Sequence, residues 1–204
     1  MPEMKANRDT KSKIVSLNEL LAHVPRHRRD GRTIVFTNGC FDLLHVGHVT
    51  HLQEAAGMGD LFIVAVNSDA GVRRLKGPER PVVNEQDRAL MLAALECVDF
   101  VVLFNDSTPI RLLERIRPDV LVKGGAYALN EIVGRHIVES YGGHVRTTSH
   151  RGGISTSALL RAIREPDTGG DVFVGRLAEP SGGAIVGRLA EPSGGAIVGR
   201  LAEP

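Results

Sequence analysis

The chain has 204 residues, 42% of them hydrophobic and 24% charged, a composition typical of one globular domain with room for an appendage. Its 25 basic and 24 acidic residues nearly cancel, which argues against the broad basic surface of a nucleic-acid binder. No apolar run approaches the roughly 18 to 20 residues that span a bilayer, and the polar N-terminus lacks a secretion signal, so we expect a cytoplasmic protein that binds neither nucleic acid nor membrane.

Short β-branched runs alternate with amphipathic stretches along most of the chain, as in parallel strands joined by helical crossovers. Ser16 is the predicted N-cap of a leading helix over 17–24. The predicted strands cover residues 33–38, 61–67, 99–104, 119–124 and 144–148. We therefore predict an α/β fold, a Rossmann-like three-layer sandwich with a five-stranded parallel sheet.

Helix starts are predicted between these strands. Asn84 precedes an amphipathic stretch at 85–95, Pro109 suits a first helical position, and Asn130 precedes a stretch at 131–141. Open parallel sheets bind ligands beyond the C-terminal ends of their strands, near the switch in strand order. The loops that follow the strands are therefore where functional residues are expected.

The composition changes after Glu165, where the chain becomes rich in Gly and Pro. The twelve residues GRLAEPSGGAIV occur at 175–186 and again at 187–198. A period this short cannot bury a continuous core, so we expect a disordered tail, with a multivalent interaction segment as the alternative. The predicted organisation is an N-terminal extension with the leading helix (1–32), the main domain (33–165) and the tail (166–204).

The loop after the first predicted strand carries the strongest chemical signal. Asn38 and Gly39 turn the chain from strand to helix, and His45 and His48 follow three residues apart. At that spacing both imidazoles lie on one face of the first helical turn, where backbone N–H groups and the positive helix end also point. Gly47 leaves room for a close approach to the backbone, so this loop is a predicted phosphate site.

Other interpretations of the loop fit less well. His45, His48 and His51 along a helix suggest zinc, but no fourth ligand stands at a suitable spacing. A satisfied core histidine suits His51 or His136 better than the pair that frames Gly47. A generic dinucleotide site is excluded because G-x-G-x-x-G does not occur in this loop.

The motifs TNGCFD and H-x-G-H resemble the signature of the nucleotidyltransferase superfamily, which includes cytidylyltransferases and pantetheine-phosphate adenylyltransferases. Further motifs follow in order between 33 and 164, among them AVNSD, RRLKGPERPV, STPIRLLERIRPDVLVKGG and ISTSALLRAI. Together they are similar to the adenylyltransferase domain of bacterial ADP-heptose synthesis. Bifunctional members also carry a sugar-kinase domain, which this sequence lacks, so we expect the stand-alone form.

The resemblance implies an enzyme that joins ATP to D-glycero-β-D-manno-heptose 1-phosphate for lipopolysaccharide core or other heptose-containing glycans, with Mg²⁺ as cofactor. The nucleophile is a phosphate oxygen, and a phosphate monoester with a second pKa of about 6 is mostly dianionic at pH 7. No general base is needed. The enzyme must instead position two anions and stabilise the charge that develops at the α-phosphorus.

His45 and His48 are the expected donors to the α- and β-phosphates, with Lys123 and Arg151 as further catalytic cations. The other predicted nucleotide- and phosphate-binding residues come from the loop at 37–48 that carries the two motifs (the signature loop), from the strand ends and from the start of the last helix. They are Thr37, Asn38, Gly39, Cys40, Phe41, Asn67, Arg80, Gly124, Ser155, Thr156 and Ser157.

The resemblance implies that Ser155, Thr156 and Ser157 close over the β- and γ-phosphates. The simpler interpretation is an ordinary N-cap, and we expect Ser155 or Thr156 to serve both purposes. By the same resemblance, Asn67 and Gly124 lie near the adenosine.

Asp42, Lys76 and Tyr127 are the predicted sugar-phosphate residues. Asp42 has three open interpretations: it caps the next helix, holds a loop amide, or helps to place Mg²⁺, which takes most of its ligands from the triphosphate and water. No metal ligand is assigned firmly. Lys76 and Arg88 are weaker candidates, because charged side chains on loops and helices are usually solvated.

Ala126 and Ser107 stand where members of the family usually carry an acid, and each loss removes an acceptor for a sugar hydroxyl or for the water shell of a cation. The identity of the sugar therefore stays open. Two alternative functions remain: a cytidylyltransferase acting on glycerol 3-phosphate or a similar small phosphate, and a non-catalytic nucleotide-binding scaffold. The apolar stretch at 89–95 fits the core or a homodimer interface, with the core the better fit.

Overall fold

The computed structural model describes residues 9–125, 128–149 and 154–164. Its five strands are β1 (Ile34–Gly39), β2 (Leu61–Asn67), β3 (Phe100–Phe104), β4 (Val120–Gly124) and β5 (His144–Thr148). They form one parallel sheet in the order β3-β2-β1-β4-β5. The predicted five-stranded parallel sheet is confirmed, and each strand starts and ends within one residue of its predicted bounds.

Seven α-helices belong to the described ranges: α1 (Leu17–Arg29), α2 (Val46–Ala56), α3 (Asp69–Lys76), α4 (Glu85–Ala93), α5 (Ile110–Ile116), α6 (Arg135–Ser140) and α7 (Thr156–Arg164). Two short 3₁₀ turns lie at Thr10–Lys13 and Leu129–Glu131. None of these helices combines the length and the apolar character that crossing a membrane requires.

The core forms two layers, one on each face of the sheet. One face packs against α1, α5 and α6, which contribute Leu20, Leu113 and Val138. The other packs against α2 and α4, which contribute Leu52 and Leu92. Alternate strand residues point to opposite faces, and β2 is buried along its whole length. This arrangement confirms the Rossmann-like three-layer sandwich.

Two of the predicted helix starts are confirmed. Ser16 and Glu19 form a reciprocal capping box at the start of α1. The side chain of Asn84 accepts hydrogen bonds from the backbone N–H groups of Gln86 and Asp87 at the start of α4. Pro109 differs slightly, since it precedes the first residue of α5 instead of occupying it.

The predicted helix start at Asn130 is wrong. Asn130 lies inside the 3₁₀ turn, and α6 begins only after Gly134. Gly134 has a φ of +90°, and a Cβ there would lie 2.2 Å from Cδ1 of Leu113. The close approach to α5 requires a left-handed glycine, which interrupts the helix that the periodicity predicted.

The segment before β1 packs into the same core. The backbone N–H of Val15 donates to the carbonyl of Val101 at 3.0 Å, so the chain runs along the outer edge of β3 before α1 begins. In α1, Leu20 is fully buried and Val24 is 5% exposed. Residues 166–204, with the twelve-residue repeats, lie outside the described residues.

The sheet opens where its strand order reverses. β1 pairs with β2 over six residue pairs, but its regular pairing with β4 covers only Val35 with Val120 and Phe36 with Leu121. Beyond Phe36 the two strands are joined by side chains. A crevice therefore starts between their C-terminal ends, the position at which open α/β sheets bind ligands.

Candidate active site

A cavity of about 770 Å³ occupies this crevice at the C-terminal ends of the strands. It collects most of the predicted site residues, although they come from distant parts of the chain: Asn38, Gly39, Cys40, Phe41, Asp42, His45, His48, Asn67, Lys76, Arg80, Lys123, Gly124, Ser155, Thr156 and Ser157. The predicted residues Arg151 and Tyr127 lie outside the described part of the chain, as does Ala126.

His45 and His48 form a stacked pair at the start of α2. His45 is the N-cap in an extended conformation, and His48 lies in the first turn. Their ring centroids are 3.8 Å apart, with 25° between the planes. Both Nδ1 atoms are buried, and neither has a hydrogen-bond partner among the residues that the structure describes. A buried polar atom without a partner costs about 1 to 3 kcal/mol, so this pair is suited to a polar ligand.

Burial keeps this pair neutral. Removal from water, and secondarily the neighbouring His45 and His51, lower the pKa of His48 to about 4. Burial also lowers the pKa of His45. At pH 7 each ring therefore carries a single N–H donor.

ATP is expected to raise the pKa of His48 by about one unit or more, because nearby negative charge favours the protonated imidazole. The pKa of about 4 that burial gives His48 leaves ample room for such a rise. NMR titration of the His Cε1–H signals, with and without ATP, measures the change. The exposed His136 on α6, which does not line the cavity, is the matched control. An unchanged titration of His48 in saturating ATP would contradict the phosphate site.

The signature loop is held in a strained conformation. Phe41 has a φ of +47°, which costs a residue with a side chain roughly 1 to 3 kcal/mol. Its buried ring meets His48 edge-on, with centroids 5.4 Å apart. A Cβ at Gly39 would lie 3.0 Å from the same ring. Gly39 therefore makes room for Phe41, and Phe41 supports His48.

Asp42 holds loop amides, one of its three predicted roles. It is 1% exposed, and Oδ1 accepts hydrogen bonds from the N–H groups of Val82 and Val83 at 2.8 and 2.9 Å. Oδ2 accepts from Nε of Arg80 in an ion pair. The helix cap is His45 instead. With both oxygens engaged, Asp42 supports the cavity wall and fixes Arg80 in it.

Lys123 links the two sides of the crevice. Its ammonium, at the end of β4, donates to the carbonyl and to the side-chain Oδ1 of Asn38, at 3.0 and 2.7 Å. Burial lowers the pKa of Lys123 to about 8, so the side chain remains positively charged at pH 7. A cation is thereby fixed at the predicted phosphate site.

The described residues do not form a cage for Mg²⁺. No group of three or more His, Cys, Asp or Glu side chains that could hold a metal occurs among them. Asp42, the carboxylate of the signature loop, already accepts three hydrogen bonds. Mg²⁺ keeps several waters and binds substrate phosphates in many enzymes, so it stays a prediction as a companion of the triphosphate.

Arg88 supports the signature loop from beneath the cavity. The prediction of a solvated side chain is wrong, because Arg88 is fully buried. Its guanidinium donates to Asp69 at 2.8 Å and to three backbone carbonyls, those of Cys40, Asn67 and Val83. Helical spacing predicts this burial, because positions 88, 89, 92 and 93 form the buried face of α4. Arg88 joins the signature loop to the end of β2.

Thr37 does not line the cavity, which corrects its predicted contact with phosphate. It is fully buried, and its hydroxyl donates to the carbonyl of Val122 at 2.9 Å. Its Oγ1 also lies 3.1 Å from Nε2 of His51. His51 is 8% exposed and bonds Thr148 through Nδ1, which confirms the prediction of a satisfied core histidine at His51. The other residue named for that role, His136, is exposed on α6.

Ser155 has the geometry of an N-cap. Its hydroxyl accepts a hydrogen bond from the N–H of Ala158 at 3.1 Å, directly before α7 begins at Thr156. Ser155, Thr156 and Ser157 all line the cavity. The simpler interpretation of this motif is therefore confirmed, and its predicted contact with phosphate stays a prediction.

The sequence of this chain is similar to those of several known proteins. A family model described as cytidylyltransferase-like matches residues 36–162. A bifunctional protein HldE from Geotalea uraniireducens is 54% identical over 159 residues, covering 78% of this chain and 32% of the relative. That from Koribacter versatilis is 54% identical over 149 residues, covering 73% and 31%. The chain thus spans about a third of the length of these relatives.

A solved structure has a similar fold. The crystal structure of the lipopolysaccharide core biosynthesis protein from Thermoplasma volcanium aligns with a TM-score of 0.52 at 25% sequence identity. The alignment covers 59% of this chain and 99% of that chain.

Proposed function

Because the chain belongs to the cytidylyltransferase-like family, we propose that it transfers AMP from ATP to D-glycero-β-D-manno-heptose 1-phosphate, giving ADP-heptose and pyrophosphate. Its identity of 54% to bifunctional HldE proteins supports this choice within the family. The motifs between 33 and 164 that resemble the adenylyltransferase domain of ADP-heptose synthesis support both the donor and the acceptor.

The observation that carries the proposal is the stacked pair His45 and His48 at the N-terminus of α2, whose buried Nδ1 atoms have no hydrogen-bond partner within the described ranges. Lys123 adds a fixed cation on the other side of the crevice. A neutral donor pair, a helix N-terminus and an ammonium are groups that stabilise a triphosphate.

The reaction needs in-line displacement at the α-phosphorus. A phosphate oxygen of the sugar phosphate forms the new bond, the bond from the α-phosphorus to the bridging oxygen of the β-phosphate breaks, and pyrophosphate leaves with that electron pair. His45 and His48 donate hydrogen bonds to the phosphate oxygens as charge develops. The nucleophile is already ionised, so no protein group has to remove a proton.

Cationic side chains at the rim of the cavity suit the sugar phosphate, which is the second anion of the reaction. Lys76, the last residue of α3, is exposed and lines the cavity, and Arg80 lines the same wall while paired with Asp42. We assign Lys76 to the sugar phosphate and Arg80 to the phosphates of the nucleotide. A homodimer remains a prediction, since Ala89, Leu92 and Ala93 of the 89–95 stretch are buried in the core.

Pyrophosphate release should be highest with ATP and heptose 1-phosphate. Purified protein is assayed against a panel of sugar 1-phosphates and glycerol 3-phosphate, each with ATP and with CTP. We expect kcat/KM for ATP with heptose 1-phosphate to exceed every other pair at least about tenfold, since differential transition-state binding sets specificity. Faster turnover of CTP with glycerol 3-phosphate would favour the cytidylyltransferase alternative. ATP binding without pyrophosphate release from any pair would favour a scaffold.

A further inference from the structure

A buried hydrogen-bond network crosses the floor of the crevice. His51 of α2 lies at its centre, with Nδ1 2.7 Å from Oγ1 of Thr148 at the end of β5 and Nε2 3.1 Å from Oγ1 of Thr37 in β1. The hydroxyl of Thr37 also donates to the carbonyl of Val122 in β4 at 2.9 Å. One imidazole thus joins a helix to three strands.

The network fixes the position of the ring proton. The single hydroxyl proton of Thr37 is directed to Val122, so its Oγ1 accepts a hydrogen bond from His51 and Nε2 carries the proton. Nδ1 then accepts from the hydroxyl of Thr148. Burial, and secondarily the charge of Lys123, lower the pKa of His51 to about 4, in agreement with a neutral ring. Both nitrogens are used by threonines, so the ring offers no polar atom to a ligand.

The network replaces strand pairing where that pairing stops. The regular ladder between β1 and β4 ends at Phe36 with Leu121, and the next position is joined through the hydroxyl of Thr37. The His51 ring fills the space beyond, because a Cβ at Gly124 would lie 2.9 Å from its Cγ. The distance between the ends of β1 and β4 is therefore set by side chains, because His51 and Thr37 fill and bridge the gap and Lys123 joins Asn38.

A second contact attaches the same helix to β5. Glu54, three residues after His51 in α2, accepts hydrogen bonds from the N–H of Ser149, at 2.8 Å, and from its hydroxyl. Both helix residues thus hold neighbouring positions at the end of β5. The first turn of α2 carries His45 and His48, so these contacts connect the histidine pair to the opposite wall of the crevice.

We propose that His51 is a positioning residue that sets the width of the phosphate crevice, by holding the ends of β4 and β5 at a fixed distance from the turn that bears His45 and His48. The role in catalysis rests on the proposed function. The geometric role does not, because it depends only on the contacts of His51 with Thr37, Thr148 and Gly124.

The first test replaces His51 by phenylalanine, which keeps a ring and removes both hydrogen bonds. We expect kcat per ATP-binding site to fall at least about tenfold while KM for ATP changes less than about threefold, because a displacement of about 1 Å can cost 10²-fold in rate. Counting ATP sites by calorimetry removes the effect of partly unfolded protein. The exposed His136→Phe is the matched control and should keep wild-type kcat.

A second substitution at His51 distinguishes a role in positioning through hydrogen bonds from a role in packing alone. In His51→Gln the amide can donate to Thr37 and accept from Thr148, so kcat should recover at least about threefold over His51→Phe. Thr148→Val removes one hydrogen bond at nearly constant volume and serves if the phenylalanine variant does not fold. Retention of kcat within about twofold in both His51→Phe and Thr148→Val would overturn the proposal.

A measurement that does not depend on catalysis distinguishes failure of the positioning role of His51 from failure of the proposed function. ¹⁵N NMR of the wild-type protein should show His51 protonated at Nε2 and not at Nδ1, and Thr148→Val should shift the backbone amides of Gly124 and Ser149. The opposite tautomer, or unshifted amides, would overturn the positioning role. A wild-type protein that has these signals and releases no pyrophosphate would contradict only the proposed function.

Discussion

Replacing His48 by alanine is expected to lower kcat for pyrophosphate release by about 10² to 10³-fold, the loss typical of a donor to a developing oxyanion. The ring is held by stacking on His45 and by edge contact with Phe41, so it is directed before substrate binds. Alanine removes the donor and leaves the backbone of α2 intact. We expect His45→Ala to behave in the same way, since the two rings form one unit.

Steady-state kinetics with saturating ATP and acceptor measures this loss. His136→Ala, on the exposed side of α6, is the matched control and should keep the wild-type rate. Circular dichroism and the melting temperature establish that each variant is folded. A loss below about threefold in both His45→Ala and His48→Ala would contradict the mechanism.

Replacing Arg88 by methionine is expected to lower the free energy of unfolding by about 3 to 5 kcal/mol, the usual cost of breaking a buried ion pair from one side. Methionine fills much of the volume but donates no hydrogen bond. The carboxylate of Asp69 then loses its cation, and the carbonyls of Cys40 and Asn67 lose their donor. The signature loop loses its tie to β2, so affinity for ATP should fall as well.

Urea denaturation at pH 7 gives this free energy, and ATP titration gives the affinity. Arg73→Met is the matched control, because Arg73 is exposed on α3 and its replacement should change stability by no more than about 0.5 kcal/mol. A destabilisation below about 1 kcal/mol for Arg88→Met would show that the four hydrogen bonds contribute little.

Features with a local cause could be predicted from the sequence. The strands follow from β-branched runs, and the caps of α1 and α4 follow from Ser16 and Asn84, whose side chains bond their own neighbours. The predicted helix after Asn130 failed for a non-local reason, the close packing of Gly134 against Leu113. Periodicity reports which residues face the core, but not where another helix interrupts the backbone.

The candidate site shows the same difference between features with local causes and features that depend on distant residues. The H-x-G-H spacing alone predicted that His45 and His48 share one face, and the two rings stack. The role of Asp42 depended on amides 40 and 41 residues later, and the burial of Arg88 depended on a carbonyl 48 residues earlier. Single-sequence patterns carry no information about such pairs, so Thr37 was assigned to phosphate and Arg88 to solvent.

The contacts of Asp42 with Val82 and Val83, and of Arg88 with Cys40, also determine when the site can form during synthesis. The loop at 37–48 leaves the ribosome first, but the N–H groups of Val82 and Val83 and the guanidinium of Arg88 that fix it come some 40 residues later. A nascent chain that ends before Val82 lacks these partners, although it already contains both histidines. The signature loop is therefore completed cotranslationally only after β2, α3 and the start of α4 have emerged, and contacts of this sequence separation are the slow ones in folding.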